Sequence, residues 1–242
     1  MSRPDAVTGP GVLVRCRGAA RTYGDGPAAV VAVHGATCEV RTGDRIAITG
    51  PSGSGKSTLL HLMAGLETPT AGRVVWPALA RGPVPDQVGV VFQGPSLIPA
   101  LDVVENTALP LVLAGRPEEP ARRRALDCLA LVGATGLADK LPEELSGGQA
   151  QRVAVARVLA AAPLLILADE PTGQLDRRTG RHVVDVLLAS ADTLGAALVV
   201  TTHDPAVARR LPQRWTMHDG RLRTGPRPPR DMPAAAPERT VP

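Results

Sequence analysis

Residues 50–57 read Gly50-Pro51-Ser52-Gly53-Ser54-Gly55-Lys56-Ser57, followed by Thr58, and no other stretch constrains the fold as tightly. Glycines at this spacing let a short loop curl until its backbone N–H groups converge on one point, a concavity that suits a phosphate. Lys56 adds a cation able to reach the β- and γ-phosphates, and the Ser57 hydroxyl is a ligand for Mg²⁺. The flanks match this demand. Arg45-Ile46-Ala47-Ile48-Thr49 alternates as a strand does, and Ser57 to Ala64 has helical character with Gly65 placed to close it. A strand, a glycine turn and a helix in that order also point the positive end of the helix dipole at the loop. An ordinary glycine turn needs none of these partners, so the segment is read as a nucleotide-phosphate cradle.

The rest of the chain supports an α/β reading with no internal repeat. Val88 to Phe92, Leu164 to Ala168 and Ala196 to Thr202 are short, continuously apolar runs, as expected of buried and mostly parallel strands. Leu164-Leu165-Ile166-Leu167-Ala168 ends in Asp169-Glu170. That placement lets Asp169 hold a Mg²⁺ shell and Glu170 orient a water toward a γ-phosphate. Between Gln93 and Leu145 strand candidates are few. Ala121 to Val132 has a helical pattern, with Pro120 expected at its first position and Gly133 past its end, so residues 94–145 read as a helical insert. Residues 224–242 are rich in Pro and Arg and are expected to be a disordered tail.

Composition removes several classes of function. Aromatic residues are 2% of the 242, too few for a base-stacking nucleic-acid platform. The net charge of +4 is carried almost wholly by arginine, since Lys56 and Lys140 are the two lysines, and codon bias explains this as well as any anionic partner does. Arg122-Arg123-Arg124 is accordingly read as a solvated helix face. Cys16, Cys38 and Cys128 have no paired spacing and read as reduced thiols. Met1 to Pro10 has no apolar core of the kind a signal peptide needs, and no run approaches the ~20 apolar residues that cross a bilayer. The expected location is therefore cytoplasmic.

Leu145-Ser146-Gly147-Gly148-Gln149 fits a capping box, Ser-x-x-Gln, opening a helix expected to run through Arg152 to Ala162. Together with the phosphate loop and the Asp169-Glu170 strand end, this motif resembles the ATP-binding subunits of ABC transporters. The resemblance runs from about Val12 to Arg223 and implies an ABC ATPase fold with a mainly parallel core sheet, a small antiparallel sheet and the helical insert. It implies further roles, residue by residue. Tyr23, preceding the first strand hairpin, would stack on adenine. Gln93 would touch Mg²⁺ and relay the nucleotide state to the insert. Gly173-Gln174-Leu175-Asp176 would cross a dimer interface, and His203 would contact the γ-phosphate. Ser146, Gly147, Gly148 and Gln149 would meet ATP held by a second subunit. The implied cofactors are ATP and Mg²⁺, and the implied partners are a second copy and a membrane permease, with no nucleic acid. The subunit would then sit on the inner face of the cell membrane.

Ala168-Asp169-Glu170-Pro171-Thr172-Gly173, with Val104-Glu105-Asn106 and Ala108-Leu109-Pro110-Leu111, is similar to the lipoprotein-release and macrolide-export branch, whose permeases have few spans and a large outer domain. Two departures stand out. Gly72 to Gln87 is about ten residues shorter than that branch implies, and Gln174 stands where asparagine is more usual. Rival readings are a regulator acting through a permease-like protein on cell-wall hydrolysis, a soluble ABC protein of DNA repair or translation, and a small-molecule kinase. The last two lack support, because the chain holds one cassette, no coiled-coil or zinc insert, and the Leu145 to Gln149 motif.

Overall fold

In the central sheet of this computed structural model, which describes residues 11–79, 82–84 and 86–226, consecutive side chains serve two different cores. On β6 (Leu165–Asp169), Leu165 and Leu167 enter one cluster while Ile166 and Ala168 enter the other. On β7 (Ala197–Thr202), Ala197 and Val199 part from Leu198 and Val200 in the same way. A strand whose side chains alternate between two apolar layers must be apolar throughout, which is why these runs carry no polar face. The sheet has six strands in the order β5-β6-β7-β3-β8-β9. Its other members are β3 (Arg45–Thr49), β5 (Val88–Val91), β8 (Gln213–His218) and β9 (Arg221–Thr224). Pairing is parallel except at β8–β9.

One layer is formed by α1 (Lys56–Ala64) together with a second, three-stranded antiparallel sheet. In that sheet β1 (Val12–Tyr23) lies between β2 (Val30–Arg41) and β4 (Ala71–Val75). The opposite layer holds α2 (Val103–Leu113), α3 (Glu118–Leu131), α4 (Gly147–Ala160) and α5 (Arg177–Leu194). Between residues 103 and 144 the regular structure is helical. The short α6 (Pro205–Ala208) follows β7. Among the described residues no helix is long and apolar enough to cross a membrane.

Several elements differ from their sequence-based expectation in their ends. Helix α3 starts at Glu118, with Pro117 as N-cap, so Pro120 is its third residue and not its first. Proline is tolerated there because N–H groups of the first turn have no intrahelical partner, and Glu118 and Glu119 complement the helix dipole. Helix α4 stops at Ala160, because Ala162 takes a left-handed conformation (φ 50°) that cannot continue it. Tyr23 does not precede the first hairpin; it is the last residue of its first strand. Thr224, where the tail was expected to begin, closes β9, and the Gly225 N–H donates to the Arg214 carbonyl. Most of the expected tail, residues 227–242, lies outside the described residues.

Cys16 and Cys38 face each other across β1 and β2, both buried and both free. Hydrogen bonding to Cys16 and burial push the Cys38 thiol up. On the same strands the Glu39 carboxylate accepts from Arg15 Nε at 2.5 Å and from an Arg41 Nη at 2.8 Å. The hydrogen bonds from Arg41 and Arg15 hold its pKa below the ordinary value of 4.5. A carboxylate depressed by folding contributes stability above its unfolded pKa and loses it as pH falls toward the lower folded value. Thermal midpoints measured across pH should therefore fall faster in the native chain than in Glu39→Gln once the pH drops below 4.5. Parallel curves would show that the two guanidinium contacts add nothing.

Candidate active site

The parallel register decides which loops meet. Val91 pairs with Ala168, Asp169 with Thr201 and Thr49 with Thr202, so β5, β6, β7 and β3 end within two residues of one another. Just past these ends come Phe92-Gln93, Glu170, His203 and Gly50, all at the carboxyl edge of the sheet, where α/β folds place their ligands.

Two backbone contacts make the phosphate loop. A Cβ on Gly50 would lie 2.0 Å from the Met217 carbonyl oxygen, and one on Gly55 would lie 2.1 Å from that of Ala32. Gly55 is also left-handed (φ 95°) and serves as the N-cap of α1. No other residue satisfies both demands. Lys56 is buried and folds back across its own loop, donating to the carbonyls of Gly50 and Pro51 at 2.9 Å each. Holding those carbonyls inward leaves the loop N–H groups to face outward. Pro51, Ser52 and Gly53 form the exposed mouth, Gly50, Gly55, Ser57 and Thr58 are half-buried, and Ser54 is buried beneath. The Ser54 hydroxyl has no hydrogen-bond partner among the described residues.

Opposite the loop stands Glu170, its side chain 12% exposed. One carboxylate oxygen lies 3.8 Å from Lys56 Nζ and the other 2.5 Å from His203 Nδ1. Its backbone is left-handed (φ 44°), a conformation that costs a non-glycine residue about 1 kcal/mol or more. Thr201 holds it there. The Glu170 N–H reaches the Thr201 hydroxyl at 3.0 Å and carbonyl at 3.2 Å, while the same hydroxyl donates to Asp169 Oδ1 at 2.5 Å. Thus one buried threonine fixes both acids at the end of β6. In the sequence Thr201 lies within the apolar run Ala196 to Thr202, and a hydroxyl two residues before His203 was the available signal.

Gln93 is exposed on the loop after β5. That loop is anchored by two residues the sequence did not single out. Buried Gln151 donates from Nε2 to the Phe92 carbonyl at 3.0 Å, and Arg157 bonds Ser96 through its carbonyl and hydroxyl at 2.7 and 2.8 Å. A glutamine among Ala150, Val153 and Ala154 on an otherwise apolar helix face could have flagged the first.

Two groups of expected site residues lie apart from this cluster. The capping box at α4 is formed as expected, with Ser146 N donating to Gln149 Oε1 at 2.8 Å and Gln149 N to Ser146 Oγ at 3.3 Å. Its glycines face the next loop. A Cβ on Gly147 would sit 3.5 Å from Gln174 Oε1, and one on Gly148 3.2 Å from Leu175. Among the described residues no hydrogen bond or ion pair joins Ser146 to Gln149 with Lys56, Asp169, Glu170 or His203. Tyr23 is 38% exposed at the end of β1, with the Arg21 guanidinium 4.7 Å over its ring.

This fold and this edge define a phosphate-loop nucleotide hydrolase of the α/β class. The chain belongs to the ABC transporter family, whose model matches residues 33–173. It is similar to the lipoprotein-releasing system ATP-binding protein LolD of Legionella pneumophila (strain Paris), 41% identical over 211 residues, covering 84% of this chain and 93% of that one. The LolD of Chromohalobacter salexigens is 38% identical over 220 residues, covering 87% and 93%. Among solved structures, the ATP-binding cassette MJ0796 in a dimeric post-hydrolysis state with ADP and Pi superposes with a TM-score of 0.82 at 36% identity, covering 88% of this chain and 97% of that one. The present chain is an ATP-binding and ATP-hydrolysing subunit of an ABC transporter.

Thr201→Val keeps the shape of the side chain and removes the hydroxyl that serves both acids. Stability should fall by about 1–3 kcal/mol, since two buried polar groups lose a partner. ATP turnover per folded molecule should fall at least about tenfold. Turnover at the native level, measured with stability matched by temperature, would show that Thr201 does not position the acids.

Proposed function

We propose that two copies of this chain close around two ATP molecules and drive a separate membrane permease, in an export or force-transmitting system of the lipoprotein-releasing kind. The observation that carries this reading is the division of the site. Lys56, Glu170 and His203 converge, whereas the glycine-rich N-terminus of α4 lies against residues 174–175 and, among the described residues, makes no polar contact with that trio. An anion-binding helix N-terminus without a phosphate of its own suits the γ-phosphate held by a second copy. The dimeric cassettes this chain resembles support the same arrangement.

Within one half-site the roles follow from chemistry. Residues Gly50 to Thr58 bind the phosphates, with Lys56 as the neutralising cation. Tyr23 stacks on the base. Mg²⁺ fits the donor set of Ser57 Oγ, the Asp169 carboxylate and the Gln93 amide, all hard oxygen ligands. Asp169 is 4% exposed, and Thr201 takes one of its oxygens while no cation lies against it among the described residues. Bound there, the ion would offset phosphate charge. Glu170 orients the attacking water and accepts its proton. His203, exposed beyond Glu170, holds that carboxylate and reaches toward the γ-phosphate.

Gln93 stands beside an apolar groove of about 240 Å³ lined by Leu66, Pro83, Val90, Phe92, Pro110 and Arg157. We assign this groove to the permease, because it lies between the nucleotide core and the helical insert and would change shape as they move. The subunit would thus sit on the inner face of the membrane through that partner.

Glu170→Gln should retain ATP binding while turnover falls by about 10²- to 10⁴-fold, and ATP should then drive the variant into a dimer seen by light scattering. Unchanged turnover would remove Glu170 as the base. An ATP-loaded variant that stays monomeric at every concentration would remove the paired site. Lys56→Ala should instead weaken nucleotide binding itself, read by calorimetry.

A further inference from the structure

The Tyr23 ring is held from two sides by residues outside every motif considered so far. Arg21, two positions earlier on the same strand and therefore on the same face of β1, places its guanidinium 4.7 Å over the ring. Glu67 accepts from the Tyr23 hydroxyl at 3.3 Å through Oε1 and pairs with Arg21 at 2.8 Å through Oε2. Arg21 also donates to the Thr68 carbonyl at 3.2 Å. The three side chains close a triangle of ring, cation and carboxylate, with Arg21 and Glu67 each about three-quarters buried.

The origin of Glu67 gives the triangle its significance. Helix α1 begins at the phosphate loop and is capped by Gly65, and the Leu66 and Glu67 N–H groups both donate to the His61 carbonyl in its last turn. Glu67 is thus part of the C-terminal cap of the helix whose N-terminus holds the phosphates. Just beyond it, Thr70 N donates to the Ala20 carbonyl at 2.8 Å and Thr70 Oγ1 accepts from Thr22 N at 3.2 Å, pinning the segment to the end of β1. One rigid helix fixes the ring relative to the loop.

Resting on the assignment of Tyr23 as the base-stacking ring, we infer that Arg21 and Glu67 are positioning residues for the nucleobase. Arg21 covers one face of the ring and Glu67 fixes its hydroxyl edge, so the ring presents its other face to a purine in a single orientation. Stacking of this kind is tolerant of base identity, because every base has a π-face. The gain is preorganisation: a ring already immobilised loses less entropy when the base arrives.

The test compares a ligand with a base and one without. In the full chain, calorimetry measures ADP affinity directly and inorganic tripolyphosphate affinity by displacement of ADP. Arg21→Ala and Glu67→Gln should each weaken ADP about 3- to 10-fold and leave tripolyphosphate unchanged. Arg21→Lys should restore part of the loss. Tyr23→Ala should weaken ADP about tenfold or more, and adding Arg21→Ala to it should cost nothing further. In turnover, the Arg21 and Glu67 variants should raise KM for ATP with kcat unchanged. Equal losses for ADP and tripolyphosphate would show that the two residues act through the general fold and would overturn the inference. If Tyr23→Ala weakens ADP and the other variants do not, the platform stands and the inference falls. If Tyr23→Ala itself leaves ADP affinity unchanged, Tyr23 is not the base platform and both readings fall together.

Discussion

The level pairing of four parallel strands is the constraint from which the rest of the site follows. Because β5, β6, β7 and β3 pair in parallel and end within two residues of one another, Gln93, Asp169-Glu170, His203 and Gly50 leave the sheet side by side, although they are scattered over more than 150 residues of sequence. A shift of one residue in any pairing would turn that strand's side chains to the opposite layer and withdraw its loop from the edge. The two apolar layers prevent this. Ile166 and Ala168 belong to one core and Leu165 and Leu167 to the other, so a slipped strand would misplace every one of them. Site geometry and hydrophobic burial are therefore enforced by the same side chains.

Thr201 converts this register into chemistry. A left-handed glutamate is unfavourable in isolation, and two hydrogen bonds from its N–H to one residue of the neighbouring strand offset that cost. The result is a carboxylate aimed between Lys56 and His203 with little freedom to turn. The phosphate loop is fixed from the other side. Met217 on β8 and Ala32 on β2 press their carbonyls against Gly50 and Gly55, so the antiparallel sheet is packed directly onto the cradle. Tyr23 belongs to that sheet, so its ring and the loop of residues 50–57 are parts of one packed unit.

The helical layer is connected to the site through a few polar anchors. Gln151 and Arg157 of α4 hold the chain on either side of Gln93, and the Asn106 side chain of α2 bonds the backbone of Ile98, Leu101 and Asp102. Asn106 is fully buried and spends its amide on that loop. The stretch between Gln93 and α2 is thus tied at one end to α4 and at the other to α2.

Short-range chemistry specifies the local units. Gly50 to Ser57 with its flanks, the apolar run into Asp169-Glu170, the Ser146–Gln149 capping box and the Gly65 cap were all legible, because each is specified by neighbours within a few residues. Tertiary structure decided what distant residues do for one another. Nothing local says that Cys16 meets Cys38, that Thr201 serves both acids, that Gln151 holds Phe92 or that Glu67 reaches Arg21 and Tyr23. The register of β1 against β2 was likewise settled by packing. The physical reason is range. Turn chemistry and periodicity act over one or two turns of chain, whereas hydrogen bonds between side chains dozens to over a hundred residues apart exist only once the sheet has brought them together.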